Sequence, residues 1–93
     1  MNEYNKFKKD RCLISTTCGS FFPLDIDHAL TQKAYPEYKN EKWNCMTICR
    51  KHHSERHQIG LVSFSKKYSV VNDWLVSNKF ELVNGKWIRG LDV

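Results

Sequence analysis

No run in this 93-residue chain approaches the roughly 20 consecutive apolar residues that a bilayer span requires. Residues 1–11, MNEYNKFKKDR, also lack the apolar stretch of a secretory signal. No membrane partner is therefore expected, and the chain reads as cytoplasmic. There is no internal repeat, no low-complexity tract and no Gly/Ser-rich linker, with only four glycines and two prolines in all. These absences leave a single domain over residues 1–93, near the lower size limit for a hydrophobic core that stands unaided. What is present suits a folded domain: 41% hydrophobic and 27% charged residues, with three Trp, four Tyr and five Phe. Small domains commonly need a staple, so the four cysteines matter. In a reducing compartment, cysteines at short spacings are expected as metal ligands rather than disulfides. A net charge of +5 points toward an anionic partner, of which nucleic acid is the commonest.

Along the chain, residues 3–11 form a polar, basic leading segment, and residues 11–19 (RCLISTTCG) read as a short extended turn ending at glycine. In residues 21–30, Leu24, Ile26 and His28 alternate with Asp25 and Asp27, which predicts a strand with one polar face. Residues 31–42 read as a loop and residues 43–49 (WNCMTIC) as a second strand. Residues 50–60 (RKHHSERHQIG) carry helical histidine spacing and a closing glycine. Phe64, Tyr68, Val71, Leu75 and Val76 then recur every three to four residues, predicting one or two amphipathic helices over residues 61–80. Asn84-Gly85 between Leu82-Val83 and Trp87-Ile88 predicts a type I′ hairpin.

The chemistry concentrates between His28 and His57. Asn44 stands sixteen residues after His28, His53 nine after Asn44, and His57 four after His53. Helix positions four apart lie about 6 Å from each other on one face. His53 and His57 can thus reach one metal ion together, with Asp27 as a hard oxygen ligand from the adjoining strand. The order Asp27-His28, Asn44, His53, His57 resembles that of the HNH (ββα-metal) nucleases, including small free-standing phage and bacterial members with a cysteine-bound zinc. The match covers about residues 12–60.

That resemblance implies an α+β fold, a ββα-metal finger with structural zinc followed by C-terminal helices and a short β-hairpin. It implies a catalytic pair of His28 as general base and Asn44 as the positioning residue. Asp27, His53 and His57 are implied as ligands of a catalytic divalent metal, and DNA as the substrate. The chemistry is coherent: a histidine with pKa near 6.5 is suited to take a proton from water. A divalent cation neutralises the scissile phosphate. Mixed Asp/His ligation is compatible with Mg²⁺, Mn²⁺, Ni²⁺ or Zn²⁺.

Cys49 and His52 have the Cys-x2-His spacing of half a structural Zn²⁺ site, and Cys12-x5-Cys18 supplies the other half. Many HNH proteins carry Cys-x2-Cys immediately before the metal-binding histidine; here His52 takes the second cysteine's place. Cys45 is read as core packing. Exchange for Cys12 or Cys18 is the alternative, disfavoured because Cys45 has no partner two to four residues away other than Cys49. Arg50, Arg56, Lys51 and Lys42 are candidate nucleic-acid contacts, Arg50 and Arg56 foremost. Trp43, Trp74 and Trp87 are expected in the core. The leading expectation is a metal-dependent DNA endonuclease of a bacterial or phage-infected cell, with a homodimer as one way to supply two sites for a double-strand break. The alternatives are a non-catalytic zinc-binding nucleic-acid module and a degenerate HNH interaction protein.

Overall fold

A computed structural model describes residues 3–15 and 22–89. Within them the chain is α+β, with three helices and two small antiparallel sheets. Strand β1 (Leu24–His28) pairs with β2 (Cys45–Cys49) in the register Leu24↔Cys49 through His28↔Cys45. Directly opposed residues share a face of a sheet. One face therefore carries Leu24, Ile26 and His28 with Cys49, Thr47 and Cys45; the other carries Asp25 and Asp27 with Ile48 and Met46. The leading segment runs alongside β2. The Lys9 amide donates to Thr47 Oγ1 at 2.9 Å, and the Leu13 amide to the Thr47 carbonyl at 2.9 Å. It begins with a 3₁₀ turn, Glu3–Phe7, that the polar reading of this segment did not anticipate.

The predicted second strand begins two residues late. Trp43 and Asn44 belong instead to a 3₁₀ turn, Lys42–Asn44, because Asn44 spends its side chain on the preceding loop. Helix α1 (Arg50–Ile59) follows β2 without a linker. Its N-cap, Cys49, makes no side-chain cap bond, its sulfur being turned toward His52 at 3.1 Å. The helix stops at Gly60, whose φ of 84° is backbone territory that glycine occupies at little steric cost.

Helices α2 (Leu61–Lys67) and α3 (Ser69–Ser77) divide at Tyr68, which is extended at φ −121° and ψ 102°. Phe64, Val71 and Leu75 are fully buried, while Val76, expected beside them, is 55% exposed because it lies one step off the buried stripe. Strands β3 (Phe80–Val83) and β4 (Lys86–Arg89) form the predicted hairpin. Asn84 and Gly85 both have positive φ, 51° and 77°, as a type I′ turn demands. Trp87 is buried and donates to Ser65 Oγ at 3.0 Å; Trp43 and Trp74 pack against the core. Burying side chains the size of Phe64, Met46 and Ile48 stabilises by roughly 1.5–3 kcal/mol each. That core, shared by Met46, Ile48, Phe64, Val71, Leu75 and Phe80, joins β2 to α2, α3 and β3. No helix of the described residues is long and apolar enough to cross a membrane.

Candidate metal centre

Two periodicities meet where α1 lies against the β1–β2 sheet. The strand repeat of two puts Asp25 and Asp27 on one side; the helix repeat puts Arg50, His53 and His57 along the facing stripe. Asp27 is 1% exposed. Its Oδ1 lies 3.3 Å from His53 Nε2 and 3.7 Å from His57 Nε2, and the two histidine Nε2 atoms are 3.1 Å apart. Its other oxygen, Oδ2, accepts from Arg56 Nε at 3.1 Å. His53 donates from Nδ1 to Asp25 Oδ2 at 3.2 Å, which leaves Nε2 as the lone-pair nitrogen when the ring is neutral. Two imidazole nitrogens and a carboxylate oxygen thus converge on one point. This donor set fits a divalent cation. Without one, the neighbouring Asp27 carboxylate raises the His53 pKa above its ordinary value, whereas burial lowers that of His57.

His28 ends β1 beside this cluster. Its Nε2 donates to the Lys39 carbonyl at 3.0 Å, so Nδ1 carries the free lone pair, with Gln32 Nε2 at 3.5 Å. The Tyr4 ring meets it edge-on at 4.6 Å. Burial depresses its pKa, favouring the neutral ring. A cleft of about 200 Å³ joins His28 to the cluster, lined by Ile26, Asp27, His28, Thr31, Gln32, His53 and His57.

Asn44, fully buried, accepts from the Leu30 amide at 2.7 Å. It donates to the carbonyls of Leu30 at 2.9 Å and Tyr38 at 3.1 Å. It thereby ties both ends of the loop whose Lys39 carbonyl holds His28.

A second cluster lies on another side of α1. Cys49 Sγ and Cys12 Sγ are 3.1 and 3.8 Å from His52 Nδ1, and all three residues are buried. Burial opposes the Cys12 thiolate, but backbone hydrogen bonds from Ser15, Cys49 and Ile14 hold its pKa below the ordinary range. A thiolate is the form that binds metal. Cys18, expected as a further ligand, lies outside the described residues. Cys45 is different: burial, with Glu41, pushes its thiol up to about 11, and it donates to the Lys39 carbonyl at 3.6 Å.

The basic residues scatter. Arg56 is buried, with Nε on Asp27 and Nη2 3.4 and 3.2 Å from the His28 and Ala29 carbonyls. A guanidinium so occupied has turned inward, away from the phosphate-facing position expected of it. Arg50 is exposed but grips Asp25 through Nε and Nη2 at 3.2 and 3.0 Å, and that grip holds the Asp25 carboxyl below its usual range. Lys51 and Lys42 are exposed and line other surfaces than the His28 cleft. Asp25 was missed as a site residue. The alternation that put it on the face of Asp27 was its only sequence signal.

A family model described as "Putative HNHc nuclease" matches residues 3–84, a span containing both clusters' described residues, His28 and Asn44. No curated protein and no solved structure matches the chain. On the family match, which covers most of its length, the chain belongs to the HNH nuclease family.

Proposed function

We propose that the protein is a metal-dependent endonuclease that hydrolyses DNA phosphodiester bonds, with β1, β2 and α1 acting as a ββα-metal finger. The observation that carries this reading is the single cleft shared by Nδ1 of His28, which carries the ring's lone pair, and the converging donors of Asp27, His53 and His57. In this reading Asp27, His53 and His57 hold the ion, which when bound neutralises charge on the scissile phosphate and its leaving oxygen. His28 accepts the proton of the attacking water at Nδ1, and the resulting imidazolium is steadied by Nε2–H on the Lys39 carbonyl. Asn44 keeps that carbonyl in place by tying Leu30 to Tyr38. Arg56 neutralises the buried Asp27 and commits its Oδ2, leaving Oδ1 for the ion.

Cys12, Cys49 and His52 are read as a structural zinc site that Cys18 completes. Soft sulfur ligands in a buried cluster suit an ion that does no chemistry. The test is plasmid nicking with Mg²⁺, Mn²⁺ or Ni²⁺ by wild type and by His28→Ala. Cleavage by wild type and near-loss in the variant is expected. Equal rates would remove His28 as base, and no cleavage with any of the three metals would remove the nuclease reading.

A further inference from the structure

Asp25 stands next to the proposed ion without facing it. Its Oδ2 receives both Arg50 Nε and His53 Nδ1, each at 3.2 Å, and its Oδ1 receives Arg50 Nη2 at 3.0 Å. With both oxygens engaged by N–H donors, Asp25 is unsuited to be a ligand. Its geometry instead acts on the ligand beside it. We propose that Asp25, clamped by Arg50, is a positioning residue that keeps the proton of neutral His53 on Nδ1 and so holds Nε2 open for the metal. This rests on reading Asp27, His53 and His57 as metal ligands.

The competing state is close at hand. His53 Nε2 lies 3.3 Å from Asp27 Oδ1, a separation a small shift converts into a hydrogen bond. A neutral His53 protonated at Nε2 would donate to Asp27, consuming one ligand lone pair and covering another. Asp25 disfavours that tautomer by offering Nδ1–H a charged acceptor, the strongest kind available to it. Partners of this kind fix the tautomer and ring orientation of metal-binding histidines, and losing them typically costs 10–100-fold in metal affinity.

Arg50 is what gives the acceptor a fixed orientation. Its two bonds align the carboxylate plane, and the residue sits one helical turn before His53, on the same stripe of α1. His57, by contrast, has an exposed side chain, and its Nδ1 meets no hydrogen-bond partner among the described residues. Of the two helix histidines, only His53 is held from behind.

The experiment titrates Ni²⁺ calorimetrically into metal-stripped wild type, Asp25→Ala, Asp25→Asn and Arg50→Ala, with His53→Ala reporting binding elsewhere in the chain. Ring ¹⁵N spectra of the metal-free proteins, at a pH above the titration of His53, read its tautomer directly. Asp25→Ala should bind about 10–100-fold more weakly than wild type and shift His53 toward Nε2–H. Asp25→Asn keeps a carbonyl acceptor, and should retain the Nδ1–H tautomer with a smaller loss of affinity. If Asp25→Ala fails to fold by circular dichroism, the Asn and Arg50 variants carry the comparison, since both leave the side-chain volume at position 25 nearly unchanged.

The proposal is overturned by unchanged affinity and tautomer in the alanine variant, or in both Asn and Arg50 variants where alanine does not fold. Wild-type binding no different from that of His53→Ala also overturns it. Metal bound as expected by a protein that cleaves no plasmid would leave the role of Asp25 standing and sink the nuclease reading alone.

Discussion

His52 and His53 are neighbours in the chain and belong to different chemistries. His52 turns toward two buried sulfurs; His53 turns toward two carboxylates at the wall of a cleft. Successive helix residues diverge by about 100°, so adjacent side chains on α1 reach opposite surroundings. The sulfur cluster ties the leading segment to the β2–α1 junction. The carboxylate cluster lies beside His28, with the His57 side chain exposed. A site that holds a fold together gains from closure, whereas one that works on a polymer must stay open. The contrast fits the proposed function, in which the first cluster holds the fold and the second is catalytic.

The largest separation between the two should come from His28→Ala. Its cleavage rate should fall by about 10²–10⁴, the usual contribution of a general base, while its thermal melt stays near that of wild type. Cys49→Ser should do the opposite, lowering the melting temperature by roughly 10 °C or more, since each kcal/mol moves a domain of this size by about 4–8 °C. A Cys49→Ser protein that melts like wild type would break the comparison at its structural end.

Arg56→Met should couple the two properties, because it strands the Asp27 carboxylate, which is 1% exposed. Removing one partner of a buried ion pair typically costs about 3–5 kcal/mol, measurable by urea denaturation, and bound metal should return part of it. Failure of added Ni²⁺ to raise the stability of this variant would count against Asp27 as a ligand. The smallest effect separates the two helix histidines. His57→Ala should lose less Ni²⁺ affinity than His53→Ala by roughly tenfold, since only His53 is pre-oriented by a carboxylate. Equal losses would mean that this orientation contributes nothing.

Much of this was readable from spacing. The strand alternation of residues 24–28, the four-residue step from His53 to His57, the glycine closing α1 and the Asn84-Gly85 turn are local patterns, and each appears where its period predicts. Arg56 was not readable in this way. On a helix with three histidines it looks like a surface cation, and only the position of β1 shows that its guanidinium is drawn inward onto Asp27. The β-favouring neighbours of Asn44 predict a strand there. Its bonds to Leu30 and Tyr38, fourteen and six residues away, hold it in a turn.

By itself the sequence determined which residues have the chemistry to bind metal or accept a proton, and the order in which the chain presents them. Those properties depend on side-chain type and short-range period, which no distant contact alters. Only the tertiary structure showed that both oxygens of Asp25 are taken up by Arg50 and His53, and that Arg56 pairs with Asp27. Each outcome depends on which donors surround an atom once β1, β2 and α1 have packed. Such surroundings come from chain segments far apart in sequence, where no local period can register them.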